Sequence, residues 1–283
     1  MTGPTPYDAG AIRRGDRERL DIQSRFTAES LQRQDVIDAT HTTHELQVYP
    51  DLNLVKLGGL SIIDRGRAAV FPLITEIIEA RQQHQLMIGV GGGTRERHTY
   101  AIGLDLGLPT GGLAMIAGAI PEQNGTLIQT LLAKAGGIRI AKADFEKLPV
   151  YLRFGAIPII VAIPPYHYWE HPAKVGRIAQ HGGDTGMYLL AETFSARSCI
   201  LVKDVDGLYT EDPKINPKAD FIPRISAKEL LALDLNDLPV ERAVLDIMLR
   251  ARNCKAVRII NGLVKGNLAR ALAGDEIGTV IHQ

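Results

Sequence analysis

Three segments of this chain carry residues suited to holding a polyanion. In the first, Lys56 stands two residues before Gly58 and Gly59. An ammonium next to backbone N–H groups without a Cβ in the way can meet phosphate oxygens, although a strand end with a surface lysine and a turn would read the same. The second is Gly91, Gly92 and Gly93, followed by Arg95, Arg97 and His98. Either Arg95 or Arg97 could grip an oxyanion through its planar fork, the other staying solvated, and the three glycines alone could be a plain turn. The third combines Gly182, Gly183, Asp184 and Thr185 with Lys203, Asp204, Val205, Asp206, Gly207, Leu208 and Tyr209. There Lys203 could hold bound or transferring phosphates and Asp184 could orient that ammonium or a magnesium-bound water. Tyr209, Asp212 and Pro213 would wall a base and ribose, while an Asp at a helix start can equally be a simple cap.

A further patch runs Pro164, Pro165, Tyr166, His167, Tyr168, Trp169, Glu170, His171 and Pro172, with His181 just beyond. It suits a subunit contact or lid, and His167, His171 and His181 could also touch an oxoanion or bind a transition metal. Their spacing matches no tetrahedral metal signature. Cys199 and Cys254 each lie in an apolar run and read as buried free thiols. There is no Walker A loop, dinucleotide fingerprint, serine elbow, HExxH or CxxC.

The 283 residues hold 32 basic and 32 acidic side chains and are 45% hydrophobic. That is enough to bury a substantial core, and it argues against nucleic acid or membrane surface as the main partner. No apolar leader or membrane span is visible, so a cytoplasmic protein acting on small ligands is expected.

The candidate residues need a scaffold that brings strand ends together. Leu52–Leu57 and Gln85–Val90 are short apolar runs ending in the two glycine loops, and Ile138–Ala141, Ala156–Ile163, Cys199–Val202 and Ala256–Ile260 continue the series. Between them, Val70, Leu73, Ile74, Ile77 and Ile78 recur at helical spacing, with Asp64 as candidate cap and Pro72 early in the helix or at a kink. Further helices are expected over Arg97–Leu106 and Glu122–Ala135, after Asp184, and through Val240, Val244, Ile247, Met248 and Ala251. Nearly continuous apolar strands joined by long crossovers imply a mainly parallel sheet covered on both faces. Residues 204–224, with Pro213, Pro217 and Pro223, read as a functional loop or hairpin. Residues 1–45 hold six Arg and eight Asp or Glu. They read as an arm, partly disordered or docking through short helices bearing Leu20, Ile22, Phe26, Leu31 and Ile37, ahead of a single α/β domain over 46–283.

VKLGG at 55–59, VGGG at 90–93, GGDTG at 182–186, VKDVDGLYTEDP at 202–213 and GTVI at 278–281 resemble the amino acid kinase family, especially its uridylate kinase branch. DRGRAAVFPL at 64–73, TRERH at 94–98, GLDLGLP at 103–109, QNG at 123–125, PPYHYW at 164–169, FIPRIS at 221–226 and NGLVKGNLARALAG at 261–274 are closer to the molybdenum-storage subunits of that family. The resemblance implies a three-layer α/β/α sandwich, ATP with Mg²⁺ in a kinase-like cleft, and a hexameric cage loaded with molybdate or tungstate at the expense of ATP. It implies that Lys56, Gly58, Gly59, Gly92 and Gly93 meet phosphates, that Lys203 and Asp184 stand near the phosphoryl or magnesium site, and that Asp206, Tyr209, Asp212 and Pro213 line the adenosine end. The storage relatives place cluster-binding histidines where this chain has none, between residues 99 and 166. Lys203 resembles the lysine-bearing kind of storage subunit, implying a homohexamer or a heterohexamer with a related subunit. The alternatives are a phosphotransferase acting on a nucleoside monophosphate or small acid, and a noncatalytic nucleotide-binding scaffold.

Overall fold

The computed structural model describes residues 8–14, 17–23, 46–163, 173, 176–178, 181–213, 215–235 and 237–283. The chain divides into two compact units, Met1–Leu46 and Gln47–Gln283. In the first, strands β1 (Asp8–Arg14) and β2 (Arg17–Gln23) pair antiparallel, with Ala11 opposite Leu20 and Ala9 opposite Ile22. Leu20 and Ile22 therefore lie on a strand instead of the expected short helix. Phe26, Leu31 and Ile37 fall outside the described residues.

The second unit is a three-layer α/β/α sandwich. Its sheet contains β3 (Leu52–Leu57), β4 (Gln85–Val90), β5 (Gly137–Arg139), β6 (Ile157–Val161), β7 (Ser198–Lys203), β10 (Arg224–Ser226), β11 (Ala256–Asn261) and β12 (Thr279–His282). Their order is β10-β12-β11-β7-β3-β4-β6-β5. All pairs are parallel except β11 with β12. A separate hairpin pairs β8 (Leu208–Tyr209) with β9 (Phe221–Ile222), inside the segment expected to be a loop or hairpin.

Strand alternation splits the core in two. Leu52 and Leu54 of β3, Met87 of β4 and Leu201 of β7 face one cluster. It is covered by α4 (Leu148–Arg153), α5 (Gly183–Thr193), α6 (Ala227–Leu233) and α7 (Arg242–Met248) through Leu148, Tyr188, Leu230 and Val244. Val55 and Leu57, Ile88 and Val90, and Ile200 and Val202 face the other, beneath α1 (Arg67–Ala80), α3 (Thr110–Leu132) and α8 (Asn267–Ala273). This two-sided burial is why strands β3 and β4 lack polar alternation. Between α1 and α3 lies α2 (Thr94–Asp105), opening directly from the second glycine loop.

Three expectations shift. Asp64 does not cap α1, which starts after Gly66; its carboxylate accepts the Thr94 N–H at 2.5 Å and so serves the start of α2. Helix α3 begins twelve residues before Glu122, running through Gly111, Gly112 and Pro121, because Leu113, Ala114 and Ala117 are buried and packing overrides weak local propensity. Asp184 lies inside α5, after its N-cap Gly182. Among the described residues no helix is long and apolar enough to cross a membrane.

Candidate functional site

Side-chain parity along the strands determines which groups meet. Lys56 is two residues beyond Leu54, and Lys203 two beyond Leu201, so both lysines emerge on the face covered by α5. In register, Lys56 lies between Gly89 of β4 and Leu201 of β7. A Cβ on Gly89 would run into the sulfur of Met187, so glycine there lets α5 settle close over the strand ends. The first turn of α5 then carries Asp184 between the two ammonium groups.

The resulting contacts are tight. Lys56 Nζ donates to Asp184 Oδ1 at 2.6 Å. Lys203 Nζ reaches Asp184 Oδ1 at 3.0 Å and Oδ2 at 2.8 Å. Asp184 is only 3% exposed. Burial alone would raise its pKa, but the charges and hydrogen bonds of Lys203 and Lys56 win and hold it well below the ordinary carboxylate value. Burial and the Lys56 charge pull Lys203 below the ordinary lysine value, against the opposing attraction of Asp184. Two ammonium groups share one carboxylate, a triad positive by itself, with Glu241 and Glu96 near enough for their charges to act on Lys56.

This centre sits in a cleft of about 710 Å³ at the C-terminal ends of β3, β4, β6 and β7, where open α/β sheets collect ligands. Lys56, Gly58, Gly59, Gly91, Gly92, Gly93, Asp184, Lys203, Gly207, Tyr209, Asp212, Pro213 and His181 all line it. The first two glycine loops touch: any side chain on Gly59 would strike the backbone of Gly91 and Gly93. Gly59 and Leu60 line the cleft with N–H groups that have no acceptor among the described residues. The hairpin forms one wall, with Tyr209 packed edge-on against Phe221 at 5.3 Å between ring centres. Thr279 of β12 ties that wall down: its Oγ1 accepts from Leu208 N at 2.7 Å and donates to Ile222 O at 2.6 Å.

Two expected site residues lie elsewhere. Arg95 donates to Gln123 Oε1 at 3.0 Å and to Asn124 Oδ1, away from the cleft, while Arg97 lines it. Asn124, in the QNG segment, is fully buried and donates to the carbonyls of Gly91 and Gly92 at 2.6 and 3.2 Å. Arg95 thus braces the glycine loop from behind. Asp206 accepts from Asn261 Nδ2 at 2.8 Å and steadies the turn after β7. His167 and His171, with the rest of the aromatic patch at 164–172, lie outside the described residues. No group of three or more His, Cys, Asp or Glu among the described residues could hold a metal ion. The thiols play no part: both are buried, and burial pushes Cys254 up to about 12 and Cys199 well above its ordinary value.

Sequence reading missed two carboxylates. Glu241, just before α7, accepts the N–H groups of Gly182, Asp184 and Thr185 at 3.0, 3.1 and 3.0 Å and Thr185 Oγ1 at 2.6 Å. Glu96, in the first turn of α2, accepts Gly92 N–H at 3.1 Å. Burial raises its pKa against the lowering pull of Lys56. A glutamate at a helix start reads as a local feature; the targets of Glu241 lie 56 to 59 residues away, and Glu96 turns back onto the glycine loop only because that loop folds under it.

Residues 51–261 match the model of the amino acid kinase family. The chain is 43% identical to the molybdenum storage protein subunit beta of Azotobacter vinelandii, over 93% of this chain and 96% of that protein. It is 29% identical to the uridylate kinase of Methanothermobacter thermautotrophicus, over 81% of this chain and 97% of that one. Among solved structures, the uridylate kinase of Archaeoglobus fulgidus superposes with a TM-score of 0.62 at 23% identity, over 81% of this chain and 99% of that chain. The UMP kinase of Bacillus anthracis gives 0.65 at 19%, over 83% and 96% respectively. These two likenesses speak to the fold. By its family match and its near full-length similarity to the storage subunit, the chain belongs to the amino acid kinase family.

Proposed function

We propose that this protein is an ATP-binding store for molybdate or tungstate, in which nucleotide hydrolysis is coupled to loading of oxide clusters inside an oligomeric cage. The observation that carries the reading is the 43% identity over 93% of the chain to a molybdenum storage subunit, combined with two lysines bridged by one buried carboxylate in a cleft. The cage is a hexamer of this chain, alone or with a related subunit, and its compartment is the cytoplasm. Residues 1–45 are the arm that embraces a neighbour.

In this reading Lys56 and Lys203 offset phosphate charge, and Asp184 holds both ammonium groups in place without leaving its buried position. Gly58, Gly59 and Leu60 bring backbone close to the phosphates, with Gly91, Gly92 and Gly93 behind them. Gly207, Tyr209, Asp212 and Pro213 enclose the adenosine end. His181, with His167 and His171, touches the oxoanion. The residues do not fit a protein-built magnesium cage, since both Asp184 oxygens already accept from lysine. Magnesium is therefore assigned no step here.

The test is metal content. The full chain, expressed with excess molybdate, should be recovered as an oligomer retaining many molybdenum atoms per chain by elemental analysis. Intact ATP binding with no retained metal would overturn the proposal in favour of a phosphotransferase, the reading favoured by the similarity to uridylate kinases.

A further inference from the structure

The backbone N–H groups around the lysine pair are not equally available. In the loop after β3, those of Gly59 and Leu60 have no acceptor among the described residues. On the β4 and β6 side, the protein has already supplied carboxylates. Glu96 takes Gly92 N–H, and Glu241 takes three amides at the start of α5. Sheet order puts this side across β3 from the β7 hairpin; here the Gly92, Gly182, Asp184 and Thr185 amides are taken by the chain's own carboxylates, leaving Gly93 N–H without an acceptor among the described residues.

Glu96 stands where the difference matters most. It is half-buried, lines the cleft, and lies so close over Gly92 that a Cβ there would collide with its carboxylate. A phosphate dianion seated on the Gly92 amide would have to break the 3.1 Å bond and settle beside a negative charge. Arg97 also lines the cleft and its charge acts on Glu96, so an incoming anion meets a cation and this carboxylate together. We propose that Glu96 is a specificity-determining residue that closes the β4 half of the cleft to a phosphorylated acceptor of the nucleoside monophosphate class. This rests on the reading that ATP takes the side of Gly59 and the hairpin. Discrimination here is by an unfavourable like-charge contact, requiring no steric block. The cleft then keeps the lysine pair for a triphosphate while lacking a docked group to receive a phosphoryl.

The experiment is calorimetric titration of UMP into the full chain and into E96Q and E96A, at about pH 8, well above the ordinary glutamate value that burial raises here. A cooperative thermal transition verifies that each variant is folded, and E96A is read if E96Q is not. Removing the charge should tighten UMP binding at least about tenfold. Equal UMP affinity in the wild type and the folded variant would overturn the assignment, as would tight UMP binding by the wild type. Molybdenum retention is scored separately on the same proteins. A UMP gain without retained metal sinks the storage reading alone, and retained metal without a UMP gain sinks the role of Glu96 alone.

Discussion

Glu241 and Thr185, 56 residues apart, are joined twice: the carboxylate accepts both the backbone N–H at 3.0 Å and the hydroxyl at 2.6 Å. Together with the Gly182 and Asp184 amides, this makes Glu241 the cap that α5 lacks in its own sequence. Because the same turn carries Asp184, a distant side chain sets the height at which the lysine pair is bridged.

Replacing Glu241 with Ala should accordingly cost about 1–2 kcal/mol, the usual range for losing a helix cap. Urea unfolding measures that cost, and ATP affinity should fall as well because Asp184 is no longer held. A variant with unchanged stability would show that water replaces the carboxylate without penalty.

Asp184→Asn should be more damaging, about 3–5 kcal/mol, since it leaves both ammonium groups without the carboxylate they share. The sign with pH follows from the lowered native pKa. The stabilisation is complete above the unfolded value near 3.8 and fades as pH falls through the lower native value. The wild type and D184N should therefore converge only in strong acid, as followed by unfolding midpoints across pH. Convergence already at neutral pH would contradict the pairing.

Lys56→Ala should weaken ATP binding at least about tenfold, because it removes one of the two ammonium groups bridged by Asp184. Lys56 is only 7% exposed and bonded to Asp184, so a stability loss of about 1–3 kcal/mol should accompany it. Titration of ATP into the folded variant separates the two effects. Unaltered affinity would remove Lys56 from the site.

Lys203 supplies a pH signature. Its pKa lies below the ordinary 10.5, chiefly through burial, so its charge is lost earlier than a free lysine's as pH rises. ATP affinity should decline on the alkaline side before 10.5 is reached. K203R, whose guanidinium stays charged, should flatten that limb. A limb that K203R leaves in place would assign it to another group.

Much of this arrangement was legible from residue order alone, and the exceptions have identifiable causes. Strands β3 and β4 stood out because both their faces are buried, leaving six-residue apolar runs closed by glycines. Lys56, Asp184 and Lys203 were each visible as chemistry at the edge of such runs. Their meeting around one carboxylate depends on parity and on α5 approaching over Gly89, which no local pattern encodes. Arg95 and Arg97 could not be told apart, since only the fold shows that Asn124 waits behind the first. The start of α3 was hidden by two glycines and a proline that packing overrides. Asp64 looked like the cap of the helix that follows it and instead serves the next helix across the glycine loop.

The hold of Thr279 on the hairpin has a consequence for how the protein is made. Tyr209 and its neighbours leave the ribosome some seventy residues before the hydroxyl that anchors them, as the separation of Leu208 from Thr279 requires. The strands carrying Lys56, Gly91 and Lys203 are made earlier, yet the hairpin wall of the cleft is not tied down until β12 is inserted next to β11. During synthesis the cleft is thus open on its hairpin side, and it takes its finished form only when the last strand closes the sheet.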